Sequence, residues 1–159
     1  MSKYLAKVLL LIVEDEMMLA QMYSSKLKKE GFEVHVAHNG REGIAKMRSE
    51  HPNLVLMDVL MPDIDGLQAL RQVKADSQTK DIPVLILTNM SDDNYAKQAI
   101  KDGANDYIVK AETTPEQVVQ TIKGILKLPD SGKHWRVLSA AYPLRTPQIV
   151  WYDYYWREI

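Results

Sequence analysis

Six consecutive apolar residues, Val8-Leu9-Leu10-Leu11-Ile12-Val13, end abruptly in Glu14-Asp15-Glu16. This run constrains the fold more than any other feature. A strand that alternates polar and apolar residues covers one face of a core, whereas one apolar at every position must be covered on both. Asn53-Leu54-Val55-Leu56-Met57 and Pro83-Val84-Leu85-Ile86-Leu87 have the same character. Glu33 to Ala37 and Asp106 to Val109 are shorter, less apolar runs, which makes five candidate strands.

The segments between them are amphipathic at helical spacing: Met18, Leu19, Met22, Tyr23 and Leu27, then Leu67, Leu70 and Val73, then Val118, Val119, Ile122, Ile125 and Leu126. Each stripe is expected to face a sheet, with the first-helix methionines read either as core or as a docking face. Asn39 with Glu42, and Thr114-Pro115-Glu116-Gln117, carry helix-start chemistry, and Gly31 and Gly103 fall where helices need C-caps. Strict β-α alternation implies right-handed crossovers and an α/β, doubly wound parallel sheet. Five short strands favour the flavodoxin-like order 2-1-3-4-5.

With 159 residues and 46% hydrophobic content, the chain has material for one main core. Leu128-Pro129-Asp130-Ser131-Gly132 breaks the pattern, so residues 1–128 are expected to form the domain and 129–159 an aromatic-rich C-terminal extension. Trp135, Trp151 and Trp156 all lie in that extension, where no helical period is sustained. A net charge of −1 and no basic stretch with interleaved aromatics argue against nucleic-acid binding. No cysteine is present, which removes disulfides, thiolate metal sites and thiol nucleophiles. No run approaches a membrane span or a signal-peptide core, so a soluble, cytoplasmic protein is expected.

In an open parallel sheet, ligands bind beyond the C-terminal ends of the strands at the topological switch point. The residues closing the runs are therefore the ones to weigh. They are Glu14-Asp15, Asp58, Thr88, and Lys110 after Tyr107-Ile108-Val109. Singly, each has an ordinary reading: a solvated helix start, a loop cap, a structural threonine, a solvated lysine, a half-buried tyrosine. Together they converge on one rim. Three close carboxylates repel one another unless a cation sits among them, and oxygen-only ligation suits Mg²⁺. Asp58 would then be an oxygen nucleophile facing a phosphoryl group whose oxygens Mg²⁺, Thr88 and Lys110 neutralise.

Leu10-Leu11-Ile12-Val13-Glu14-Asp15-Glu16, Met57-Asp58-Val59-Leu60-Met61-Pro62-Asp63-Ile64-Asp65-Gly66, Leu87-Thr88 and Gly103-Ala104-Asn105-Asp106-Tyr107-Ile108-Val109-Lys110 resemble, in this order, the receiver domains of two-component response regulators. The resemblance covers about residues 7–128. It implies Asp15 as a direct Mg²⁺ ligand, Glu14 as a direct or water-mediated one, and Asp58 as ligand and phosphoacceptor, with the Leu60 carbonyl completing the protein ligands. It further implies that Thr88 and Lys110 contact the phosphoryl group, that Tyr107 swings inward when Thr88 moves, and that a histidine kinase or histidine phosphotransfer protein is the donor.

Two positions depart from the family pattern. Ala111 follows Lys110 where the family usually has proline after a cis peptide. A cis bond without proline costs roughly 3–4 kcal/mol, so a trans peptide and an altered reach of Lys110 are expected. Asn89 follows Thr88 where a small residue is common, which would restrict the switch movement. Leu60 and Met90 are expected to line the approach of water with apolar surface and give a long-lived phosphoaspartate.

Asp63-Ile64-Asp65-Gly66 also resembles the Asp-x-Asp of haloacid-dehalogenase-like phosphatases, but there the first aspartate closes the apolar strand, a place held here by Asp58. Nucleotide-binding glycine loops are missing, and the four histidines show no metal spacing. The expected protein is thus a stand-alone receiver, not a metabolic enzyme, whose output is binding through the surface around the fourth helix, fifth strand and fifth helix. The tail would dock there, self-associate as a homodimer, face an output partner of unknown identity, or merely pack on the domain. The alternative function is a receiver-like scaffold that binds its partner without being phosphorylated.

Overall fold

The computed structural model describes residues 5–128, 136–138 and 149–150. The elements run β1 (Leu5–Lys7), β2 (Leu9–Val13), α1 (Met17–Lys29), β3 (Glu33–Ala37), α2 (Gly40–Glu50), β4 (Leu54–Met57), α3 (Gly66–Ala75), β5 (Val84–Thr88), α4 (Asp93–Lys101), β6 (Asp106–Val109), a 3-10 turn (Lys110–Glu112), α5 (Pro115–Leu126), β7 (Arg136–Leu138) and β8 (Ile149–Val150).

Strands β3-β2-β4-β5-β6 form a parallel sheet. Counted in chain order within that sheet, this is the expected 2-1-3-4-5. Successive residues of each central strand point to opposite faces, and both faces are covered. Leu10, Ile12, Leu54, Leu56, Leu85 and Leu87 join Tyr23 and Leu27 of α1 and Val118, Val119 and Ile122 of α5. On the other face, Leu11, Val13, Val55, Met57, Val84 and Ile86 meet Ile44 and Met47 of α2, Leu70 and Val73 of α3, and Ala99 of α4. That two-sided burial is why Leu9–Val13 and Leu54–Met57 contain no polar residue.

Helix ends follow the sequence chemistry. Thr114 and Gln117 form a reciprocal capping box with Pro115 in the first turn of α5, and Asn39 accepts from the Glu42 amide; such caps are each worth about 1 kcal/mol. Gly31 and Gly103 have φ of 97° and 107° just beyond α1 and α4.

Three features differ from expectation. The buried stripe of α1 is Ala20, Tyr23, Ser24 and Leu27, while Met18 and Met22 are 81% and 42% exposed. At 100° per residue the two methionines fall on the side of the helix opposite that stripe. The fourth strand of the sheet begins at Val84, after Pro83, whose carbonyl accepts from the Val55 amide although its own nitrogen has no hydrogen to donate. Finally, β1, β7 and β8 make a second, antiparallel sheet in which Leu5, Ala6 and Lys7 pair with Leu138, Val137 and Arg136. β1 runs straight into the N-terminal end of β2, so this small sheet sits away from the strand ends that carry the acidic residues. The tail tryptophans lie outside the described residues.

Candidate functional site

Register brings the strand ends level. Val13 pairs with Ala37 and Met57, Met57 with Ile86, and Thr88 with Val109. Glu14, Asp58 and Lys110, which follow Val13, Met57 and Val109, therefore leave the sheet at one edge. The chain passes from β3 on one side of β2 to β4 on the other, so the crevice opens between β2 and β4, where ligands of such sheets bind.

Backbone bonds continue the ladder past the strands, from the Glu14 amide to Ala37 and from the Asp58 amide to Val13, each 3.0 Å. Asp58 is 7% exposed; its Oδ1 accepts from the Leu60 amide at 3.1 Å and its Oδ2 from Lys110 Nζ at 2.9 Å. Glu14 is as deeply placed, with Oε1 taking the Glu16 amide at 3.1 Å and Oε2 taking Lys110 Nζ at 2.5 Å. Asp15 is exposed. One carboxylate oxygen from each of Glu14, Asp15 and Asp58 lies within 4.8 Å of the others.

Burial raises the Glu14 carboxyl above its ordinary range, opposed by the hydrogen bond and charge of Lys110. Burial also works to lower Lys110, but the bonds and charges of Glu14 and Asp58 override it and leave the ammonium raised and charged. Three carboxylates against one ammonium, with only oxygen donors converging, fit a hard divalent cation that takes few protein ligands.

Thr88 is fully buried, and its Oγ1 accepts from the Met90 amide at 3.3 Å. Half-buried Tyr107 donates its hydroxyl hydrogen to the Met90 carbonyl at 2.7 Å. Both residues thus engage the same segment after β5. The Leu60 side chain is 51% exposed. No peptide among the described residues is cis, so Lys110–Ala111 is trans, and Lys110 still reaches Asp58. Asn89 is exposed and lines an open depression of about 300 Å³ with Met22, Tyr23 and Lys110.

Three further residues, none of them assigned a site role from the sequence, lie around the site. Tyr23 is buried from α1 close enough to feel the charges of Lys110 and Glu14. Asp63 accepts from the Gly40 and Arg41 amides, and Asp65 caps α3 through the Gln68 amide. The Asp-x-Asp pair therefore serves helix ends rather than phosphatase chemistry.

Comparison with known proteins agrees with this geometry. Residues 10–123 match the response regulator receiver domain family. Protein PilH of Pseudomonas aeruginosa is 37% identical over 117 residues, which are 74% of this chain and 96% of PilH. Regulatory protein AtoC of Escherichia coli is 38% identical over 101 residues, 64% of this chain but 22% of AtoC, so the chain spans only a minor part of that larger relative. The solved structure of Vibrio cholerae chemotaxis protein CheY4 matches with a TM-score of 0.71 at 31% identity, covering 76% of this chain and 99% of that one. The chain belongs to the response regulator receiver domain family, the phosphoaccepting signalling module of two-component systems.

Proposed function

We propose that Asp58 is the phosphoacceptor of this chain, that Glu14, Asp15, Asp58 and the Leu60 carbonyl hold Mg²⁺, and that the donor is a histidine kinase or a histidine phosphotransfer protein. The observation carrying this reading is the placement of Asp58: 7% exposed at the end of a fully buried strand, 2.9 Å from Lys110 and clustered with two further carboxylates.

An Asp58 oxygen attacks the phosphorus of a phosphohistidine. The new P–O bond forms as the P–N bond breaks, and the imidazole leaves, taking a proton from solvent. Bound Mg²⁺ supplies charge neutralisation at the phosphoryl oxygens. Lys110, already hydrogen-bonded to Asp58 Oδ2, stays with the charge as it spreads onto the phosphoryl group. Thr88 Oγ1 turns its hydrogen to a phosphoryl oxygen and relaxes its bond from the Met90 amide. Because Tyr107 holds the Met90 carbonyl, that shift frees the tyrosine and biases an existing two-state equilibrium. Output is a change in partner binding, with slow self-dephosphorylation the only hydrolysis expected. Residues 1–128 are the receiver unit and 129–159 an extension to it.

Neither departure from the family pattern supports the scaffold reading, since Ala111 leaves Lys110 on Asp58 and Asn89 is exposed beside Thr88 rather than buried against it. The test is intact-mass measurement of wild type and Asp58→Asn after incubation with a small phosphodonor, with and without Mg²⁺. One Mg²⁺-dependent phosphoryl adduct on wild type alone is expected; no adduct under any condition would leave a phosphorylation-independent interaction module.

A further inference from the structure

We propose that Asp63 is a positioning residue for the cation site, holding the loop that carries Leu60 by clamping it to the start of α2. The inference rests on the reading of the acidic cluster given above.

The segment between β4 and α3 must leave the sheet at Asp58, present the Leu60 backbone to the site and enter α3 at Gly66. Its ends are tied by the Gly66 amide to the Val59 carbonyl at 3.0 Å and by the Asp65 cap on Gln68 at 2.9 Å. Val59, Met61 and Ile64 are buried, but Leu60 is 51% exposed, so side-chain packing does not hold Leu60 itself.

The Leu60 amide is bonded to Asp58 Oδ1 at 3.1 Å, and Asp63 adds a second tether from outside the site. One carboxylate oxygen accepts from the Gly40 amide and the other from the Arg41 amide, both at 3.2 Å. Those two amides belong to the first turn of α2, where a helix has no internal acceptors. Asn39, the N-cap, is already committed to Glu42, so Asp63 fills both vacant donors, and the positive end of the helix favours its charge. Ile64 lies close behind: a Cβ added to Gly40 would come within 3.2 Å of its carbonyl oxygen. Desolvation, the largest single influence, pushes the Asp63 carboxyl up, but the backbone donors at Ile64, Arg41 and Gly40 together outweigh it and leave the pKa below its ordinary value. The middle of the loop is thus fastened to an element outside its own β-α unit, three residues from Leu60.

Releasing the tether should loosen the Leu60 carbonyl without altering the carboxylates. The experiment is calorimetric titration of Mg²⁺ into wild type, Asp63→Ala, Asp63→Asn and Asn39→Ala, with phosphorylation by a small phosphodonor followed at saturating Mg²⁺. Asp63→Ala is expected to raise the Mg²⁺ Kd about three- to tenfold, as loss of an outer-shell partner does, with the rate constant at saturating Mg²⁺ held within about twofold. Asp63→Asn, whose amide oxygen accepts one of the two amides, should fall between. Asn39→Ala removes a cap from the same helix end without touching the loop, so it should lower the melting temperature and leave Kd unchanged. An Asp63→Ala Kd within about 1.5-fold of wild type, or an equal rise in Asn39→Ala, overturns the inference while the acidic site stands. Wild type that takes up no Mg²⁺ overturns the site reading and the inference with it.

Discussion

The Lys110 ammonium lies 2.9 Å from an Asp58 carboxylate oxygen although the two residues close strands separated by β5. It is also 2.5 Å from Glu14, and all three side chains are less than a tenth exposed. Removing one partner of a buried ion pair leaves an uncompensated charge and costs about 3–5 kcal/mol. In Lys110→Met two carboxylates lose their cation together. Urea denaturation without Mg²⁺ should therefore show a loss of about 3 kcal/mol, and added Mg²⁺ should stabilise the variant more than it stabilises wild type. Equal stability of the two chains in chelator would mean that the pair does not form in solution.

Gly66 is held at its position by backbone rather than by side chains. A Cβ there would come within 2.5 Å of the Asp58 carbonyl oxygen and 2.6 Å of Val59 Cα, neither of which can rotate away. Gly66→Ala should cost about 1–3 kcal/mol as an overpacked contact. Because the displaced atoms belong to Asp58, the proposed phosphoacceptor, and to its neighbour Val59, phosphorylation should slow by about tenfold or more. Gly124→Ala is the control, since a Cβ there meets nothing within 4 Å and the helix should gain about 0.5–1 kcal/mol.

Asp102 joins α4 to α3 by accepting from Arg71 Nε and Gln98 Nε2, both at 2.7 Å. The Arg71 bond is the main cause of its depressed pKa, below the ordinary 3.8. An acid whose folded pKa is depressed contributes stability that is complete above its unfolded pKa and disappears as pH falls through the folded one. The stability difference between wild type and Asp102→Asn should accordingly be constant near neutral pH and shrink toward zero as pH drops below 3.8. A difference that persists unchanged into strong acid would point to packing rather than charge.

Leu60 is 51% exposed beside Asp58, and Met90 packs on the core at the end of β5. Apolar surface at both places disfavours a water positioned for in-line attack. A phosphoaspartate lasting minutes or longer is expected, and Leu60→Asn should shorten it several-fold by offering such a water a hydrogen-bond partner. The check is the time course of phosphate release after donor removal; a wild-type half-life of seconds would rule out this role for Leu60 and Met90.

The sheet was legible because Leu10 to Val13, Leu54 to Met57 and Val84 to Thr88 are buried on both faces, a demand few other architectures make. The cluster of Glu14, Asp15, Asp58 and Lys110 was legible for a related reason: parallel register carries every strand-closing residue to one edge, so order along the chain predicts proximity. What escaped depended on finer geometry. Which apolar side of α1 faces the sheet, that of Met18 and Met22 or that of Tyr23 and Leu27, is not set by helical spacing alone. The contact between Asp63 and α2 joins a loop to a helix start with no shared pattern. Pairing of Leu5–Lys7 with Arg136–Leu138 joins segments too short to carry a period and separated by most of the chain.

That last pairing also decides what the extension contributes to folding. β1 has no partner in the five-stranded sheet, and no strand of that sheet pairs with β7 or β8. The last helix of the domain is closed independently, by Lys127 in a left-handed C-cap and by the Leu128 amide on the Lys123 carbonyl at 2.8 Å. Strands of two and three residues form a sheet too small to be stable by itself. A chain ending at Leu128 should therefore unfold cooperatively with a loss below about 2 kcal/mol, small against the 5–15 kcal/mol typical of a domain. It should also keep Mg²⁺-dependent phosphorylation at the wild-type rate. Parallel urea titrations and phosphorylation time courses on the two chains make the comparison. A larger loss would show that the extension covers apolar surface at the N-terminal ends of the strands, and slower phosphorylation with unchanged stability would show that it acts on the site from the far end of the sheet.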